Sequence, residues 1–347
     1  MRPPATCTPG PSEPARAPLP RRRRVVIALA SLTLTALLAG CGAGTGGTAD
    51  TRGAAPPGFP VTITNCGVTT TYQRPPQRVV TMNQHVTEIM LALGLEGRMV
   101  GTAFLDDRIL PEYREEYRRI PVLAEQYPSY EVLLKAAPDF VYGGFASAFS
   151  TQEGRSRKRL REAGIKTYLN VANCTGGPVT MKQVRRELRT VARIFGVPER
   201  AGKLIGEMNA RLAAARRRLA GVEPTSVFVY DSGTKAPMTA GGHGIANEII
   251  RLAGGRNIFA GLNDSFPDVS WEQVIQRRPE AIVILDYGST SVKKKKQALL
   301  NKPALANVPA IEHRRFAVLP LTSAVAGIRA PHAVGELGRQ LHPERFR

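Results

Sequence analysis

Ser129-Tyr130-Glu131-Val132-Leu133, running on to Pro138-Asp139-Phe140-Val141, returns 141 positions later as Ser270-Trp271-Glu272-Gln273-Val274 and Pro279-Glu280-Ala281-Ile282. In each copy a serine suited to cap a helix precedes an aromatic residue and a glutamate of the first turn, where a negative charge complements the helix dipole. A proline then ends the helix, and an apolar run follows that reads as a buried strand. Using one helix-then-strand unit twice predicts two lobes of one design. A second correspondence keeps the same order: Glu88-Ile89 leading to Gly94, Arg98 and Gly101 is matched by Glu248-Ile249 leading to Gly254, Arg256 and Gly261.

Outward from these blocks, strand-like runs at 78–82, 99–103, 140–142 and 166–169, then 226–230, 282–285 and 316–319, alternate with helical stretches. That alternation predicts α/β lobes with parallel sheets. Between the halves lies a helical stretch from Met181 to Phe195, broken at Gly196-Val197-Pro198, and then Glu199 to Leu219, rich in Ala, Leu, Arg and Glu. The second piece makes a helix of roughly 21 residues and about 31 Å, long enough to hold two lobes at a fixed spacing. The expected organisation is an N-terminal α/β lobe over 59–198, an interlobe helix over 199–220 and a C-terminal α/β lobe over 221–347. Both lobes should be Rossmann-like, with a ligand cleft between them.

The N-terminus places the chain in a compartment. Arg21-Arg22-Arg23-Arg24, an apolar core from Val25 to Leu38 and small residues before Cys41 make residues 1–40 a secretory signal. Its core is too short to span a bilayer comfortably. Leu38-Ala39-Gly40-Cys41 resembles a bacterial lipobox, which implies a lipid on Cys41 and a mature chain held on the outer face of the cell membrane. Residues 41–58, rich in Gly, Ala, Thr and Pro, read as a flexible tether. With Cys7 removed and Cys41 lipidated, Cys66 and Cys174 remain as an even pair in an oxidising compartment and are expected to form a disulfide.

The full chain carries a formal charge of +20; residues 1–40 hold six Arg and one Glu, which leaves +15 on the remainder. Such a balance favours anionic ligands or headgroups, or is a solvated surface. No nucleic-acid-binding signature accompanies it.

In open α/β sheets ligands bind beyond the carboxyl ends of the strands. Candidate rim residues are Asn83, Gln84, Phe104, Leu105, Tyr142, Gly144 and Phe145 in the first lobe, and Tyr230, Asp231, Phe266, Tyr287, Thr322 and Arg329 in the second. Aromatic walls with a few cations suit a large, flat, partly anionic chelate.

Arg78-Val79-Val80, Thr87-Glu88-Ile89 to Gly94, the two Ser-aromatic-Glu blocks, Gly254-Gly255-Arg256-Asn257-Ile258 and the single linking helix together resemble one family. It is the class III extracytoplasmic solute-binding proteins of ABC importers for ferric siderophores, haem and cobalamin. The resemblance implies a two-lobed clamp on a helical spine, with small interlobe motions. It also implies that Phe104 or Leu105, Tyr230, Phe266 and Arg329 lie at or near the pocket, with Arg329 as the polar anchor for carboxylate or hydroxamate oxygens; from the rim, Asn83, Phe145 and Tyr287 join Phe104 and Leu105 as candidate ligand contacts. Glu131 and Glu272 fall where carboxylates dock on the permease, one on each lobe. Each also complements its own helix dipole.

His85 and His243 could face one another across the cleft, yet no third histidine stands at ligand spacing, so no resident metal and no cofactor are expected. Ser232-Gly233-Thr234-Lys235 fits S-x-x-K without the companion motifs of serine acyl enzymes, and the chain is read as a non-enzyme. The expected function is capture of a ferric siderophore, as an Fe(III) chelate, by a lipid-anchored monomer that delivers it to an ABC permease and its ATPase. Haem or a corrinoid is the alternative ligand, and a basic surface attachment module the alternative class.

Overall fold

The computed structural model describes residues 55–174 and 176–347; the signal segment, Cys41 and most of the tether lie outside the described residues. Among the described residues, successive strand positions enter different cores, as the period of two requires. Val79, Phe140 and Tyr142 face one core and Val80, Met82 and Val141 another. In the second half Val227, Val229 and Val283 share the first of these cores, while Phe228, Tyr230 and Ile282 face a third.

The first lobe runs through β1 (Val61–Asn65), β2 (Val68–Tyr72), β3 (Val79–Met82), α1 (Gln84–Ala92), β4 (Met99–Ala103), α2 (Arg114–Arg118) and β5 (Val122–Ala124). It continues with α3 (Tyr130–Lys135), β6 (Phe140–Gly143), α4 (Arg157–Glu162), β7 (Lys166–Leu169) and α5 (Met181–Phe195). After α6 (Pro198–Arg218) come β8 (Thr225–Tyr230), α7 (Ile245–Leu252), β9 (Gly255–Asn257), α8 (Trp271–Arg277) and β10 (Ala281–Asp286). The chain then forms α9 (Val292–Leu300), α10 (Pro309–Glu312), β11 (Phe316–Pro320) and α11 (Ala330–Leu341).

Strands β5-β4-β3-β6-β7 form one parallel sheet and β11-β10-β8-β9 a second. Both follow one plan: a central strand, β3 or β8, pairs on one side with the next strand and on the other with the strand after the repeated helix. Among the described residues the second sheet has no counterpart of the edge strand β5. The repeat read from sequence is the α3–β6 and α8–β10 unit, and Phe140 and Ala281, 141 positions apart, open equivalent strands. Ser129 and Ser270 cap the two helices by accepting from the amides of Val132 and Gln273 at 3.3 and 3.2 Å. Gly94 and Gly254 also correspond, each closing its helix at positive φ, 62° and 78°. The correspondence stops there: Gly101 lies within β4, whereas Gly261 lies beyond β9.

Helix α6 begins two residues after Gly196, whose left-handed φ of 70° ends α5. It buries Ala201, Ile205, Met208 and Ala215 in the one core that both lobes share with α1, α5, α7 and α11. Its Arg200 donates to the carbonyls of Leu93 and Gly94 at 2.9 and 2.7 Å, tying the helix to the end of α1. A helical strut packed into both lobes resists bending.

The hairpin β1–β2 was not foreseen from sequence. Asn65 donates to the carbonyl of Leu169 and accepts from its amide, both at 2.8 Å, so the hairpin end is fastened to the edge strand β7. Beside it the expected Cys66–Cys174 disulfide is present.

Candidate functional site

The carboxyl ends of the strands from both sheets meet in one cleft. Its base is a cavity of about 130 Å³ bordered by His85, Gly144, Phe145, Asn170, Gly244, Ile245, Phe266 and Ala324 to Ala326. Larger hollows of about 650 and 750 Å³ lie elsewhere, one between the hairpin and α5 and the other beside the end of α6. Neither is bordered by strand ends of both sheets.

At the base, His85 is buried beside the ring of Phe145, with centroids 4.9 Å apart. Burial lowers its pKa to about 4, which keeps the imidazole neutral near pH 7. Its Nε2 faces the Gly144 carbonyl at 3.3 Å, and among the described residues its Nδ1 has no partner. Only glycine fits at Gly144, because a Cβ there would approach His85 Cε1 to 2.4 Å. The lobes touch here through Asn170, which donates to the carbonyl of Ala326 at 3.1 Å, and through the amide of Val179, which donates to His243 O at 2.9 Å.

Along the first rim, Phe104 stands at φ 55° and packs edge-on against Tyr127 at 4.7 Å. The Tyr127 hydroxyl donates to Asn83 Oδ1 at 3.0 Å, while Asn83 Nδ2 is buried with no partner among the described residues. Leu105 is half-buried against the shared core. Asp106 follows, and burial raises its pKa to about 6. Its charge acts on Tyr127 of the first lobe and on Tyr287 of the second, raising the pKa of both hydroxyls.

On the second rim the Tyr287 hydroxyl bonds to Asp231, whose pKa is raised by burial and held back by that bond and by Lys295. Lys295 donates to the carbonyls of Asp231 and Leu285 at 2.7 and 2.6 Å and lies 4.5 Å from the Tyr287 ring centroid. Phe266 is half-buried and reaches the cavity.

Two candidates are engaged elsewhere. The Tyr230 ring packs in the outer core of the second lobe against Trp271, centroids 5.9 Å apart, and its hydroxyl donates to Gly233 O at 3.1 Å. Arg329, read from sequence as the ligand's polar anchor, makes a fork onto both oxygens of Glu88 on α1, with Nε to Oε2 at 2.8 Å. It also donates to the carbonyl of Arg108 at 2.6 Å. Glu88 is 1% exposed and Arg329 9%, so this is a buried pair joining the two lobes. Gln84 completes it by accepting from Asp107 N and donating to Arg108 O, both at 2.8 Å.

The profile of the Periplasmic binding protein family matches residues 79–321, from the first residue of β3 to just past β11. The chain belongs to that family. A vitamin B12-binding protein of Photorhabdus laumondii is 28% identical over 219 residues, covering 63% of this chain and 74% of its own length. Among solved structures the chain is similar to a periplasmic binding protein of Veillonella parvula, with 28% identity and a TM-score of 0.75 over 82% of this chain and 97% of that one. A periplasmic haem-binding protein of Roseiflexus sp. RS-1 in apo form is similar with 27% identity and a TM-score of 0.64, over 78% and 99% of the two chains.

As a class III periplasmic binding protein the chain is a solute-binding component of an ABC importer. In this binding protein Glu131 and Glu272 are both exposed in the first turns of α3 and α8. Each carboxyl is held below its usual range by its own amide and by its capping serine. Among the described residues no group of three or more His, Cys, Asp or Glu could hold a metal ion, and no helix is long and apolar enough to cross a membrane. Sequence reasoning missed Tyr127 and did not single out Asp106. Asp106 carried a usable signal, since it lies three residues beyond the strand read at 99–103; Tyr127 carried none.

Proposed function

We propose that this binding protein captures a bulky metal chelate without net negative charge, first of all a ferric hydroxamate siderophore, and passes it to an ABC permease. The observation that carries this reading is the charge of the cleft. Its ionisable side chains include the half-buried Asp106, Asp231 with the Lys295 ammonium that offsets it, and the neutral His85, while Arg329 is matched by Glu88, so the charge left unbalanced among them is the carboxylate of Asp106. A carboxylate in a partly desolvated cleft repels a ligand rich in carboxylate or catecholate charge and favours a neutral or cationic one. Aromatic rings from Phe104, Phe145, Phe266 and Tyr287 supply apolar area on both walls.

A corrinoid is the second reading, favoured by the likeness to the B12-binding protein of Photorhabdus laumondii. The reading as a binder rather than an enzyme is supported by the surroundings of Ser232, which lies in a loop where Lys235 is exposed to solvent. Lipid attachment at Cys41 and docking through Glu131 and Glu272 belong to the same proposal.

Calorimetry and quenching of the single Trp271 would be followed during titration with ferric trihydroxamates, a ferric tris-catecholate, ferric citrate, haem and cobalamin. Stoichiometric binding of a trihydroxamate, at least tenfold tighter than any of the anionic chelates, is expected. Tighter binding of the catecholate, citrate or haem overturns the assignment.

A further inference from the structure

We propose that the face formed by α5 and the β1–β2 hairpin is a docking surface for an anionic phospholipid bilayer, on which the protein rests between encounters with its permease. Arg186, Arg189 and Arg193 stand at i, i+3 and i+7 along α5 and therefore share one side of the helix. All three are exposed, and among the described residues none has an ion-pair or side-chain hydrogen-bond partner. With Thr62 and Thr64 of the hairpin they border a hollow of about 650 Å³ that no Asp or Glu lines. Three guanidinium groups gathered over an acid-free surface are the complement of a plane of phosphates.

A second observation gives the direction. Arg193 also borders, with Phe59 and Arg200, the place where the described chain enters the fold. Phe59 packs there against Gly196, where a Cβ would lie 3.3 Å from its ring. Thirteen residues separate Cys41 from Ala55, a reach of at most about 50 Å when extended. A lipid on Cys41 would thus be leashed to the end of the arginine row; this part rests on the lipid-anchor reading, and the arginine row does not. The protein would lie on its arginine face.

Basic side chains at an anionic surface contribute about fivefold each to partitioning, so the row should account for roughly a hundredfold. Residues from Gly53 onward form one compact unit, so the soluble chain from that point can be sedimented with vesicles of phosphatidylglycerol and phosphatidylcholine. Binding to the mixed vesicles and not to pure phosphatidylcholine is expected, with a loss of about a hundredfold in the triple variant R186Q/R189Q/R193Q. The matched variant R216Q/R217Q/R218Q, which removes the same charge from the end of α6, should retain binding within about fivefold. Circular dichroism establishes that both variants are folded.

Equal losses in the two variants, or no affinity for the mixed vesicles, overturn the proposal. Saturation of the face by inorganic phosphate without vesicle binding also overturns it, in favour of a small-anion site. Vesicle binding by the soluble chain supports it even where Cys41 proves unacylated, so the two readings fail separately.

Discussion

Arg329 and Glu88 show how one residue's role is set by what packs around it. A guanidinium at the edge of a cleft is chemically suited to a ligand, yet here it closes on a carboxylate that is 1% exposed. Breaking such a pair on one side leaves a buried charge without a partner, a loss of about 3–5 kcal/mol. Arg329→Met is therefore expected to lower unfolding stability by that amount and to weaken chelate binding through loosened lobes. The double variant Glu88→Leu with Arg329→Met should recover most of the stability, as read by urea denaturation. Recovery would identify the pair as a lobe clasp, and a single-variant loss below about 1 kcal/mol would refute it.

Asp106 makes a pH-dependent prediction at the same scale. Burial raises its folded pKa to about 6 from the ordinary 3.8. For an acid shifted upward, the contribution to stability is present below the unfolded pKa and is lost as pH rises through the folded one. The unfolding free energy of the wild type should fall relative to Asp106→Asn between pH 4 and 6. Affinity for a cationic chelate should move the opposite way, rising from pH 5 to 7 in the wild type and rising less in Asp106→Asn. Parallel profiles for the two proteins would remove Asp106 from both roles.

At the scale of elements, the two copies of the capped helix were readable because their determinants are local. Serine capping, a first-turn glutamate and a proline stop act within a few residues, and the strand that follows needs only an apolar run. Tertiary structure added that Glu131 and Glu272 are exposed on equivalent helices of different lobes. If they dock the permease, Glu131→Lys with Glu272→Lys should abolish uptake in cells while chelate affinity in solution stays within about twofold. Normal uptake would leave the carboxylates with their helix dipoles alone. Short elements escaped the reading: β5 and β9 span three residues each, too few for a period to declare itself.

For the whole molecule, the decisive features are one apolar core running through α6 from lobe to lobe and one disulfide across the first lobe. Cys66 and Cys174 are separated by 108 residues, most of the length of that lobe. Closing a loop of that size restricts the unfolded chain by about 4.7 kcal/mol in the entropic description. Cys66→Ser with Cys174→Ser is expected to reduce stability by several kcal/mol, up to about that figure, with the hairpin the first region to exchange amide protons. A change under about 1 kcal/mol would show that the hairpin's hydrogen bonds to β7 suffice.

The two α/β lobes, the helix between them and the cysteine partners were legible in the residue order, because periodicity, capping and residue count act over short stretches or by simple pairing. The closing of the lobes settled that Arg329 turns to Glu88, 241 positions away, that Tyr230 joins a core, and that the charge of the half-buried Asp106 acts on tyrosines of both lobes. Those outcomes depend on which faces meet when two sheets close on one helix, and burial, which sets both partner and protonation, exists only after they have met.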